Sequence, residues 1–116
     1  MTMTREEIAD MIEGIGLPFA YYEFERDTAQ EPPFIVFFYS QYTNVYADNS
    51  NYVDKEVLNI ELYTRTRDFD TEATVEAVLG ANGFTYNMEP SYIGSEKIWQ
   101  IAYEMEVIIN EPEEQD

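Results

Sequence analysis

The chain contains no cysteine and no histidine. Without cysteine there are no disulfide staples, thiol nucleophiles or cysteine metal sites, so the fold must stand on packing alone. Without histidine the commonest general base and the usual transition-metal ligand are gone, which leaves carboxylates, tyrosines and a few hydroxyls for any chemistry. Positive charge is scarce: 6 Lys and Arg against 24 Asp and Glu give a formal net charge of −18. Affinity for nucleic-acid phosphates comes from cations that displace counterions, so direct nucleic-acid binding is not expected. Long apolar runs are also missing. Neither a signal peptide nor a membrane span can be drawn, and the expectation is a soluble chain, intracellular when made, with no membrane partner.

What is present suits one folded domain. The chain has 116 residues, of which 45% are hydrophobic, enough to bury a core. Thr4 and Glu7 have capping-box spacing, and Ile8, Met11, Ile12 and Ile15 follow on one helical face until Gly14 and Gly16 stop the helix. Segment 18–24 is short and aromatic. Segment 34–42, "FIVFFYSQY", is a near-continuous apolar run and reads as a strand covered on both faces, which Pro32 and Pro33 precede but cannot join. From Val57, Leu58, Ile60 and Leu62 alternate with Asn59, Glu61 and Tyr63 as a half-buried strand, so 43–53 reads as a long hairpin loop. A second helix is expected after Asp68 or Asp70, with Ala73, Val75, Val78 and Leu79 inward and Gly80 or Gly83 at its end. A strand over 84–93, irregular at Pro90, and the alternation Trp99, Ile101, Tyr103, Met105, Val107, Ile109 complete the chain. The expected fold is α+β in the order α-β-β-β-α-β-β, a mostly antiparallel sheet with two helices packed on one face, spanning 1–109 and followed by a disordered acidic tail, 110–116.

Two carboxylate-rich stretches invite a metal reading. "ADNSNYVD" offers Asp48, Asn49, Asn51 and Asp54. Counted as a calcium loop from Asp48, however, its positions 3, 5, 6 and 12 fall on Ser50, Tyr52, Val53 and Asn59, and the glycine and the closing glutamate are both missing. "DFDTE" alternates Asp68, Asp70 and Glu72 but has Ala73 where the glycine belongs. Capping and turn formation account for both, so no metal and no cofactor is expected. Carboxylate pairs arise from abundance alone in so acidic a chain, and neither a phosphate loop nor a nucleophile–base pairing is present. No catalytic residue is assigned and no enzyme is expected.

The aromatic load is heavy: 10 Tyr, 7 Phe and 1 Trp. Phe37 and Trp99 read as core. Tyr39, Tyr42, Tyr46, Tyr52 and Tyr63 gather on or around one hairpin at positions the alternation leaves partly outward, and tyrosine is enriched at interfaces because it combines area with a polar tip. With Asp48 and Asn49 at the turn, they are the candidate subunit-interface residues.

The stretches "LPFAYYEF", "PPFIVFFY", "NVYADNSNYVDKEVLNIELYT", "TEATVEAVLGANGFTY" and "SYIGSEKIWQIAYEMEV" together resemble a family of small proteins from the morphogenesis genes of tailed phages and prophages of Gram-positive bacteria. These are the tail terminator, tail-to-head joining or tail-completion proteins. Tyr46, Ala47, Asp48, Asn49, Tyr52, Ile60, Glu61, Leu62, Tyr63 and Thr64 carry the pattern. The resemblance implies a structural protein of the virion tail, monomeric in isolation and forming a ring at the end of the tail tube, with the tube and head connector proteins as partners and a hairpin and sheet edge between subunits. It also implies assembly in the host cytoplasm and DNA passage through a central hole. Six copies of a −18 chain would carry on the order of a hundred negative charges, and an acidic lumen would let DNA slide without sticking. Two other readings compete: an acidic DNA mimic that inhibits a host DNA-binding protein, and a head-completion or connector adaptor of the same gene cluster.

Overall fold

The computed structural model describes residues 2–24, 30–47 and 51–110, and of 41–47 and 51–54 it describes the backbone. In chain order the elements are β1 (Thr2–Met3), α1 (Arg5–Glu13), β2 (Phe19–Tyr21), β3 (Phe34–Ala47), β4 (Asn51–Thr64), α2 (Phe69–Ala81), β5 (Asn87–Ile93) and β6 (Ile98–Ile109). They form an α+β fold with two helices and a mixed six-stranded sheet. The expected tail falls, apart from Asn110, outside the described residues.

Helix α1 begins where the sequence places its capping box. Thr4 Oγ1 accepts from the Glu7 amide at 3.0 Å, and Glu7 Oε1 accepts from the Thr4 amide at 2.9 Å, so two orphan donors are satisfied reciprocally. Ile8, Met11 and Ile12 are its buried side. Gly16, at φ 91°, turns the chain away in a conformation that favours glycine. Helix α2 is capped by Asp68, whose carboxylate accepts from the Thr71 amide (3.1 Å) and hydroxyl (2.7 Å). Of the two glycines expected at its far end, Gly83 is the one that stops it: the helix runs through Gly80 to Ala81, with Asn82 as C-cap and Gly83 at φ 81° just beyond. One glycine does not end a helix that packing and a later cap extend. Val75 and Leu79 are buried as expected, whereas Ala73 faces solvent.

The sheet runs β1-β6-β4-β3-β2, with β5 also paired to β6. β3–β4, β4–β6 and β5–β6 are antiparallel; β1–β6 and β2–β3 are parallel. The mostly antiparallel expectation therefore describes the centre and misses both parallel additions. Alternation is the same in either pairing mode, and the segment between β2 and β3 is just long enough for a crossover, about a dozen residues. The hairpin also differs: the strands expected to stop near 42 and restart near 54 pair as far as Ala47↔Asn51.

Alternate positions build the core. Ile35, Phe37 and Tyr39 of β3, Leu58, Ile60 and Leu62 of β4, and Ile101, Tyr103, Met105, Val107 and Ile109 of β6 join Ile8, Met11, Ile12 and Ile15 from the first helix and its end, and Val75 and Leu79 from the second. Leu58, Ile60 and Leu62 are fully buried, each contributing about 1.5–3 kcal/mol of transfer free energy. Among the described residues no helix is long and apolar enough to cross a membrane.

Candidate interaction surface

The β3–β4 hairpin outruns the sheet that supports it. On β4 the last residue paired with β6 is Asp54, opposite Ile109. Beyond it Val53, Tyr52 and Asn51 pair with Val45, Tyr46 and Ala47. The other side of the arm is equally bare: β2 reaches β3 only as far as Tyr21↔Phe37. From Phe38 onward the outer edge of β3 carries no further strand among the described residues. Exposed edges of this kind offer unpaired amides and carbonyls to another chain, and native proteins blunt them with proline or charge. Here the run Pro32–Ala47 contains no charged residue, and its prolines precede the strand. A register shift between Ser40 and Thr43 marks a bulge, which bends a strand and increases its twist.

The candidate tyrosines separate on this frame. Tyr46 and Tyr52 are register partners across the arm. Tyr42 lies in β3 at the bulge, while Asp48 and Asn49 lie outside the described residues. Tyr39 is a core residue, 9% exposed, with the Arg5 guanidinium 4.5 Å from its ring centroid. Burial pushes its hydroxyl pKa up, and Arg5 opposes that shift. Tyr63 is half-buried: it stacks on Phe34 (4.9 Å), accepts from Gln100 Nε2 (2.8 Å) and donates to Glu61 Oε1 (2.9 Å). Burial is the main cause pushing its pKa up to about 12; Gln100 opposes the shift and Glu61 adds to it.

Neither a protein-family model nor a curated protein matches the chain.

The sheet face opposite the helices places Tyr63 among Phe34, Phe38 and Glu61 toward β3, and Glu89, Glu104 and Glu106 toward β5 and β6. Lys55 reaches Glu106 at 3.2 Å. A groove of about 540 Å³ reaches from this face, where Ser40, Val57, Glu104 and Glu106 line it, to Phe84 and Tyr86 on the core side. The "DFDTE" carboxylates are otherwise engaged: Asp68 caps its helix, and Glu72, 3% exposed, holds Arg67 through both oxygens at 2.9 and 3.0 Å. That bidentate grip raises the Arg67 pKa. Among the described residues no group of three or more carboxylates is placed to hold a metal ion.

Sequence reasoning missed a second aromatic surface. Arg67 lies over the rings of Phe69 (4.7 Å) and Trp99 (5.3 Å), and Tyr92 packs on Trp99 at 5.3 Å. Phe69 and Tyr92 are nonetheless 66% and 53% exposed. The available signal was Phe69 itself, set directly after an N-cap and off the Val75–Leu79 stripe.

Proposed function

We propose that the chain is a structural subunit of a phage or prophage tail, a tail terminator or tail-to-head joining protein that assembles as a ring on the tail tube, with an acidic lumen for DNA. The observation that carries this reading is the β3–β4 arm, paired past the end of its supporting strand and bordered by an uncharged, proline-free edge. A two-stranded ribbon alone is marginal in water, so such an arm gains its stability from a partner. The family resemblance falls on the same stretch, with Tyr46 and Tyr52 at its paired end. The helix-covered face keeps the fold, and the opposite face, with Glu61, Glu89, Glu104 and Glu106, supplies acid for a lumen wall.

The test is assembly. Purified protein incubated with tail tubes should cap them in electron micrographs, and deletion of its gene should abolish complete tails. The double variant Tyr46→Ala, Tyr52→Ala should keep the circular dichroism of the parent while capping falls at least about tenfold, the scale of a lost hot spot. An assembled particle with a positively charged lumen would overturn the reading. A second reading, an acidic mimic of DNA, draws on the exposed Glu89, Glu104 and Glu106 of the same face; capture of a basic DNA-binding protein with no effect on tails would favour it.

A further inference from the structure

The chain contains a single Asn-Gly pair, Asn82–Gly83. Such a pair is open to attack of the glycine nitrogen on the asparagine side-chain amide, because glycine has no Cβ to hinder the approach and leaves the backbone free to turn. The fold uses both residues for another purpose, to close α2.

The Gly83 amide donates to Gly80 O at 3.0 Å and the Phe84 amide to Leu79 O at 3.0 Å, the two bonds of a Schellman motif, with Gly83 at φ 81°. Phe84 and Leu79, the apolar pair that accompanies this motif, are both buried in the core. Asn82 adds a bond of its own, its Nδ2 donating to Val78 O at 2.8 Å. The electrophile and the nucleophile of the side reaction are therefore each engaged in holding the helix end. Water still reaches them, since Gly83 is exposed and Asn82 only half-buried.

We propose that Asn82–Gly83 is a hydrolytic modification site that the α2 cap keeps latent. In the reaction the Gly83 amide loses its proton to solvent and its nitrogen bonds to Asn82 Cγ. The Cγ–Nδ2 bond breaks, the leaving nitrogen takes a proton from solvent and departs as ammonia, and a succinimide remains. Water then opens the ring at one carbonyl to give aspartate, or at the other to give an isoaspartate whose main chain is longer by one methylene. No electrons are gained or lost. Reaching the ring requires the bonds to Gly80 O and Val78 O to open together, so the rate follows the opening of the last turn. The product closes that turn less well. A carboxylate has no N–H for Val78 O, and it puts negative charge at the negative end of a helix whose last turn has no basic residue. Gly83 and Phe84 also line the groove, so the change remodels one of its walls. The proposal stands apart from the tail reading.

To test this, the full chain is held in mildly alkaline buffer, native and in denaturing urea, and the tryptic peptide 68–97 is sequenced by fragmentation mass spectrometry for amide-to-acid conversion. In urea, Asn82 should convert faster than Asn87 on the same peptide. In the native protein it should convert at least about tenfold more slowly than in urea, the factor that an opening cost of about 1.4 kcal/mol supplies. Phe84→Ala removes the apolar anchor but neither reacting group; with parental circular dichroism it should convert several-fold faster than the native parent. The product mimic Asn82→Asp should melt below both the parent and Asn82→Ala. Equal rates in the native protein and in urea, or no conversion in urea, overturn the proposal, and neither result depends on a variant that folds. A folded Phe84→Ala protein that converts no faster than the parent, or an Asn82→Asp protein as stable as Asn82→Ala, overturns it as well.

Discussion

Tyr63 shows how one residue ties the acidic sheet face to the stability of the whole. Its ring is stacked on Phe34 and its hydroxyl sits between Gln100 and Glu61. Losing the proton would place a phenolate in a half-buried site beside a carboxylate, so the folded chain holds that proton up to about pH 12, while an unfolded tyrosine releases it near 10. The stabilisation is therefore intact below pH 10 and is lost as pH rises toward 12. Burial also raises the pKa of Tyr39, Tyr86 and Tyr103, so alkaline unfolding should coincide with tyrosine ionisation. Followed by tyrosinate absorbance and circular dichroism, Tyr63→Phe should retain more of its stability than the parent between pH 10 and 12; identical profiles would show that this hydroxyl carries no linkage.

Between elements, α1 is tied to the sheet by an ionic contact as well as by its buried apolar side. Glu56 lies in β4 on the core side of the strand, opposite the β3 bulge, with its side chain fully buried, and Arg5 at the start of α1 reaches it at 2.6 Å. Removing one partner from a buried pair leaves a desolvated charge, whereas removing both leaves an apolar site. Arg5→Met should cost about 2 kcal/mol in urea denaturation, less than a fully buried pair because Arg5 is partly exposed. The double variant Arg5→Met, Glu56→Leu should recover most of that; a double variant as unstable as the single one would argue that Arg5 acts through its other contacts. Elements whose signals are local were legible from sequence: α1 from Thr4, Glu7 and its apolar stripe, β6 from strict alternation, the start of α2 from Asp68. Features set by long-range geometry were not: the parallel docking of β2, the two-residue β1, and the reach of the arm to Ala47 and Asn51. The Asn and Asp residues of 43–53 suit turns that their side chains stabilise locally, so the segment reads as loop. Of the candidate site, the pairing of Tyr46 with Tyr52 was within reach of the sequence. The burial of Tyr39 and the exposure of Phe69, Tyr22 and Tyr92 depend on which strands are outermost, which composition does not encode.

At the scale of the whole molecule, charge opposes the fold. Among the described residues Arg5, Lys55, Arg65 and Arg67 are paired with Glu56, Glu106, Glu31 and Glu72, so their attraction is already engaged locally, and the many excess carboxylates in the chain repel one another. That repulsion acts over distances longer than a contact and is what salt screens, with a Debye length near 30 Å at about 0.01 M and 8 Å at about 0.15 M. The ion pairs are short, and screening weakens them less than it relieves the net field. Raising NaCl from about 10 to 300 mM should therefore raise the melting temperature by several degrees, about 1 kcal/mol for a chain of this size. The same change should strengthen association between copies, so the measurement is made at two dilute protein concentrations: a shift shared by both belongs to the fold, and an extra shift at the higher one belongs to assembly. A melting temperature that stays flat or falls would mean that the local pairs outweigh the net charge.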